Sequence, residues 1–290
     1  MNKDKKNYIY FIIKKVSNKI FIKIIFALSF ILLIIFIYLS EIFPKNVKLE
    51  SHPYRILLYT CCNILYSHYI PIFCSLALRA DKLKILDIEI GIAQKKLTYK
   101  EEKALNYLRK KYSYSKILIK YNFFIQNETG SYYDGNKVGV NSVRFISQPK
   151  IKNKYVYITD VDMLIFVENF YLYLIDDMYR RNSTYSNIVR PNTHRLTGLH
   201  FIEYDSFYPI PKQQLYNIND EMLLYNIVES KGIKIDYKTE YRPQFGIHAS
   251  PSRDHVGSLG YIGWGADIYK FHWINYTKSY DFGYIYPLFR

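Results

Sequence analysis

The chain has 290 residues, of which 49% are hydrophobic and 18% aromatic, a formal net charge of +15 and only three cysteines. This apolar content excludes a disordered chain, and the roughly 240 residues beyond the N-terminal segment suit one large α/β domain. Cys61, Cys62 and Cys74 lack metal-ligand spacing and make no disulfide framework, and the positive charge beyond residue 23 is scattered without any nucleic-acid fold signature, so no nucleic-acid partner is expected.

Residues 1–23 hold seven lysines against the single acid Asp4 and are expected to form a basic cytoplasmic tail. Ile24 to Leu39 carries no charge, and Ser40 to Phe43 extends it to spanning length, so 24–43 is expected to be a transmembrane anchor. The run ends in Tyr38, Leu39, Ile42 and Phe43, bulky where signal cleavage needs small residues, and it lacks the polar face of a core helix. The positive-inside rule then gives a single-pass type II membrane protein held by residues 24–43, with a Golgi-type lumenal catalytic domain if the host is eukaryotic. Residues 44–54 read as a stem and 55–290 as the catalytic domain. Sequons at Asn127, Asn182 and Asn275 arise readily at this composition and settle nothing about compartment.

Arg55 to Thr60 is a compact apolar run of strand length. Pro71 stands at a plausible first helical position before Ile72 to Leu78, so strand passes to helix as in a nucleotide-binding α/β unit. Thr98 and Glu101 form a capping-box pattern that opens a helix to about Tyr112. Ile117 to Tyr121 is the next strand, and Asn127 to Asn141, with three glycines, reads as a loop.

Lys154 to Leu164 then runs as one β-branched and aromatic strand straight into Asp160-Val161-Asp162. Ligands of open α/β sheets bind beyond the carboxyl ends of strands, and alternation in an extended chain puts both carboxylates on one side. Two such carboxylates can hold a hard divalent cation, Mn²⁺ or Mg²⁺, which in turn binds the phosphates of a nucleotide diphosphate. Solvated acids at a strand end are the plain structural alternative.

The segment YVYITDVDML resembles the metal-binding strand of GT-A glycosyltransferases, above all the glycogenin-like and blood-group-transferase-like groups. The resemblance implies a GT-A-like mixed sheet flanked by helices, preceded here by one transmembrane helix. It implies a nucleotide-diphospho-sugar donor, a glycan, lipid or protein acceptor, metal dependence, and transfer with retention. Arg144, in Ser142 to Ile146, matches the helix whose arginine contacts donor sugar or nucleotide, and Thr60 falls beside the nucleotide with Asp160. Asp220 and Glu221 match an acidic helix start in the cleft, where one carboxylate faces the anomeric carbon as stabiliser, nucleophile or base. Asn219 as cap with both acids on the helix dipole is the structural reading of the same residues. Leu196 to Phe201 is similar to the floor of the acceptor pocket, with Gly198 and His200 as its candidates. His248, ahead of His255, is the candidate third metal ligand, although the family's His-x-x-Gly-x-x-Lys pattern is absent.

Two other readings compete. A membrane-anchored binding or scaffold protein needs no metal at these acids. A haloacid-dehalogenase-like phosphatase also places Asp-x-Asp after an apolar strand, but its motif continues with Thr or Val where Leu164 stands.

Overall fold

Strand β1, Ile56–Cys62, and strand β2, Leu86–Ile92, are buried at every position, as parallel strands covered on both faces must be. They pair in parallel from Ile56 opposite Leu86 to Cys62 opposite Ile92. The computed structural model describes residues 54–123, 131–133, 137–190, 193–211, 219–236, 245–249 and 266–285. Helix α1, Ile70–Ala80, joins the two strands with Pro71 in its first turn, where a missing N–H costs nothing. Helix α2, Tyr99–Lys111, opens as the capping box predicts: Thr98 Oγ1 accepts from Glu101 N at 3.2 Å and Glu101 Oε2 accepts from Thr98 N at 2.6 Å.

Asp87 and Glu89 lie buried on one face of β2, and each has its charge met. Asp87 accepts the Arg55 fork, Lys116 N at 2.8 Å and Asn153 Nδ2 at 3.0 Å. Glu89 accepts Lys150 N and Ile151 N, both at 2.8 Å, and pairs with Lys120 at 3.3 Å. These bonds tie the chain after residue 146 to the sheet, and so fix where the following strand enters.

That strand, β6 (Tyr155–Ile158), lies beside β1, while β3 (Ile117–Lys120) lies on the far side of β2. With β8 (Tyr185–Ser186) and β9 (His200–Glu203) the sheet order is β3-β2-β1-β6-β9-β8; β9 runs antiparallel to both β6 and β8. The chain crosses from β1 to β2 in one direction and later reaches β6 on the other, so the carboxyl ends of β1 and β6 flank a topological switch point. Helices α4 (Tyr171–Arg181) and α5 (Tyr204–Phe207) flank β8 and β9 in the sequence, and helices α3 (Val140–Ile146) and α6 (Asp220–Ser230) contribute to the core beside Leu57, Tyr59, Val156 and Ile158. A second core joins Leu76 of α1 to Leu164, Ile247, Tyr269 and Tyr276.

Three expectations need correction. The loop expected over 127–141 contains a short antiparallel pair, β4 (Ser131–Tyr133) with β5 (Lys137–Gly139), and α3 already starts at Val140; residues 124–130 and 134–136 lie outside the described residues. The fold class is right in its mixed sheet flanked by helices but included a transmembrane helix, and among the described residues no helix is long and apolar enough to cross a membrane. The longest of them, α2, has 13 residues and spans about 20 Å against a hydrocarbon core of about 30 Å. The single-pass type II localisation is corrected on the same finding. The tail, the segment 24–43 and the stem up to residue 53 lie outside the described residues, as does His255.

Candidate metal and donor site

Instead of one strand from 154 to 164, the chain breaks at the carboxyl end of β6. Asp160 ends the extended stretch, Val161 and Asp162 make a turn closed by Met163 N donating to Asp160 O at 3.1 Å, and β7 (Met163–Ile165) starts afresh. The two carboxylates therefore converge through a turn, not through strand alternation.

Strand β7 then brings in the third group. It pairs antiparallel with β10, Gly246–His248, in a register that puts His248 opposite Met163, and Ala249 N donates to Asp162 O at 2.8 Å. Only glycine fits at 246, because a Cβ there would collide with the Leu164 carbonyl. His248 Nε2 consequently lies 3.2 Å from Asp162 Oδ1 and 3.8 Å from Asp160 Oδ2. One ligand atom from each of Asp160, Asp162 and His248 falls within 4.8 Å of the others. Two carboxylate oxygens and an imidazole nitrogen converging this closely fit a divalent cation of the Mn²⁺ type, with imidazole the softer donor.

Arg144 stands behind this cluster. Its side chain is only 3% exposed; Nη1 donates to Asp160 Oδ1, and Nη2 lies 3.7 Å from Asp220 Oδ2. Burial opposes its charge, but Asp160 and Asp220 outweigh burial and hold the guanidinium more firmly protonated than usual. Among the described residues Nε has no hydrogen-bond partner.

Asp220 and Glu221 open α6 behind the cap expected at Asn219, whose Oδ1 accepts from Glu221 N at 2.9 Å. The two acids have different neighbours. Asp220 faces Arg144, and its carboxyl is pushed above the usual range by burial first, with Asp160 and Glu221 adding and Arg144 opposing. Glu221 instead takes the fork of Arg190, from Nε at 2.6 Å and Nη2 at 2.5 Å.

Gly198 lies against the same group: a Cβ there would be 2.7 Å from Arg144 Nη2 and 3.7 Å from Asp160 Oδ2. The structure thus gathers Arg144, Asp160, Asp162, Gly198, Asp220 and His248. It does not gather His200, which is fully buried between the rings of Tyr185 and Phe207 with Nδ1 3.0 Å from Asn187 Nδ2. Thr60 is also fully buried, near the end of β1, and its Oγ1 has no partner among the described residues. Arg190 and Arg195 are absent from the sequence expectations; they lie in an irregular stretch that no motif marks.

No protein-family model matches the chain, and no curated protein matches it. Among solved structures, the glycosyltransferase GlyE of Streptococcus pneumoniae TIGR4 is similar over 53% of this chain and 35% of that one, at 9% identity and a TM-score of 0.34. Its apo form is similar over 81% and 63%, at 9% identity and a TM-score of 0.46. The mannosyltransferase PcManGT from Pyrobaculum calidifontis, in complex with GDP-Man and Mn²⁺, is similar over 62% and 54%, at 10% identity and a TM-score of 0.38. This chain spans less than two thirds of the length of each. All three are glycosyltransferases; nothing about this chain's chemistry follows from likenesses at TM-scores below 0.5.

Proposed function

We propose that residues 55–290 form a GT-A-like glycosyltransferase domain that moves a sugar from a nucleotide-diphospho-sugar to a glycan, lipid or protein acceptor. The observation that carries this reading is the convergence of Asp160, Asp162 and His248 at the carboxyl end of β6, beside the buried Arg144 and Asp220. Asp160, Asp162 and His248 would hold Mn²⁺ or Mg²⁺, which when bound neutralises the donor diphosphate and stabilises its departure. Arg144 donates to Oδ1 of Asp160 and so fixes the carboxylate with Oδ2 on the His248 side. Asp220 places a carboxylate beside Arg144, where it stabilises positive charge developing at the anomeric carbon or attacks that carbon. Gly198 lets the backbone approach this centre, which suits an acceptor hydroxyl delivered there. Thr60 shapes the floor under the nucleotide. Retention of configuration follows the family resemblance and is read from the anomeric proton of the product by NMR.

The test is a panel of UDP-, GDP- and CMP-sugars with the full chain, with Mn²⁺ or with chelator, reading hydrolysis. Mn²⁺-dependent cleavage of at least one diphospho-sugar is expected, with CMP-sugars, which lack the diphosphate, left intact. Absence of cleavage favours the scaffold reading, and equal cleavage under chelation removes the metal role given to Asp160, Asp162 and His248.

A further inference from the structure

Glu221 is 14% exposed and has two guanidiniums beside it, not one. Arg190 grips it with both arms of its fork, while Arg195 Nε stands 3.9 Å from Oε2, too far for a hydrogen bond. Arg190 takes both Glu221 oxygens and also feels Asp220, which leaves Arg195 as the surplus guanidinium, beside a carboxylate but not hydrogen-bonded to it. Among the described residues Arg195 donates no side-chain hydrogen bond, and it is 37% exposed. Both arginines are held in place by the backbone: Arg190 N donates to Arg195 O at 2.9 Å, and Leu196 N donates to Glu221 O at 3.1 Å. Arg195 lies three positions before Gly198, about 10 Å of chain at most, and a Cβ at Gly198 would meet Arg144 Nη2 and Asp160 Oδ2.

We propose that this surplus guanidinium selects the acceptor: the sugar that receives the transferred residue carries an anionic group, a carboxylate or a phosphate ester, which Arg195 pairs with while Arg190 and Glu221 hold it in position. The inference rests on the transferase reading above and adds the substrate class to it. Guanidinium matches both anions through a two-armed hydrogen bond. The donor diphosphate would take its counter-charge from a cation held by Asp160, Asp162 and His248, which leaves Arg195 to a second substrate. An acceptor hydroxyl delivered beside Gly198 and Asp220 brings the substituents of its ring toward Arg195.

The experiment uses the full chain with Mn²⁺ and whichever nucleotide-sugar it hydrolyses fastest. Acceptors are methyl glucoside, methyl glucuronide and methyl glucoside 6-phosphate, which separate neutral, carboxylate and phosphate chemistry. At least one acidic acceptor should exceed the neutral one in kcat/KM by about 10-fold, as expected for one charge-assisted hydrogen bond. R195Q should remove most of that preference, and R195K should keep part of it as a point charge. Calorimetric binding of the preferred acidic glycoside should weaken in the same order. Hydrolysis of the donor without acidic preference, or a preference that survives R195Q, overturns this inference alone. Failure of every nucleotide-sugar to react overturns the transferase reading beneath it.

Discussion

Asp220 and Glu221 are neighbours at the start of α6, yet Asp220 Oδ2 lies 3.7 Å from Arg144 Nη2 while Glu221 takes both arms of the Arg190 fork. Adjacent helical residues point about 100° apart, and here that separates an acid in the cluster from an acid in a neighbouring ion pair. D220N should therefore lower nucleotide-sugar hydrolysis by about 100-fold, the scale for removing one preorganised charge from a reaction centre. E221Q should cost about 1 kcal/mol of stability, given how exposed Arg190 is, and reduce hydrolysis much less. Equal losses in the two variants would remove the distinction.

The same contacts set a pH dependence. Burial, aided by Asp160 and Glu221 against Arg144, places the Asp220 carboxyl above its ordinary range. The fold then favours the protonated form, so this group's stabilising contribution is full below the unfolded pKa of about 3.9 and is lost as pH rises through the folded value. D220N lacks that loss. The melting temperature of D220N relative to wild type should rise between about pH 4 and pH 7 in thermal scans, and a fall over that range would reverse the assignment.

Asp87 has the opposite sign. Burial pushes its carboxyl up, but the Arg55 fork, Lys116 N and Asn153 outweigh burial and hold it below the ordinary range. Its contribution is present above the unfolded pKa and lost as pH falls through the lower folded value. D87N at neutral pH should cost about 3 kcal/mol in urea unfolding, the lower end for breaking a buried pair because Arg55 is 33% exposed. The wild-type advantage over D87N should shrink on acidification below about pH 4. An advantage independent of pH would contradict the charged assignment.

Gly198 has no room for a methyl group, since its Cβ would lie 2.7 Å from Arg144 Nη2. G198A must displace a guanidinium tied to Asp160 and close to Asp220, an overpacking expected to cost about 1–3 kcal/mol. Hydrolysis should fall at least 10-fold while Mn²⁺ affinity changes less, because the added Cβ clashes with Arg144 Nη2 at 2.7 Å but meets Asp160 Oδ2 at 3.7 Å, an ordinary contact. Unchanged hydrolysis in G198A would show that Arg144 has slack.

Much of this arrangement was legible in the residues. The capping pair Thr98 and Glu101, the cap at Asn219 and the strand after Arg55 are local signals, and local chemistry decided them. Strand β2 is missing from the expected elements because Asp87 and Glu89 interrupt its apolar pattern; they are buried only because Arg55 and the backbone N–H groups of Lys116, Lys150 and Ile151 reach them across the fold. The turn at Val161 and Asp162 was hidden by the β-branched residues before it, and its bond from Met163 N to Asp160 O is visible only in three dimensions. His200 shows the converse case: its residue type suggested a site, and its packing between Tyr185 and Phe207 makes it core. Asp220 and Glu221 could not be separated by sequence, since their roles depend on arginines 76 and 31 positions away.

The most direct test of the central claim is calorimetric titration of Mn²⁺, followed by UDP or GDP, into wild type, D160N, D162N and H248A. The two Asn variants keep volume but lose charge; D162N should fold as wild type, while D160N leaves the buried Arg144 with Asp220 as its remaining carboxylate, so its fold is checked by circular dichroism before titration. Wild type should bind one Mn²⁺ and bind nucleoside diphosphate only with it; D160N and D162N should lose both, and H248A should bind Mn²⁺ at least about 10-fold more weakly. Nucleoside diphosphate binding that is equal with and without Mn²⁺, or Mn²⁺ affinity unchanged in D160N and D162N, would contradict the account.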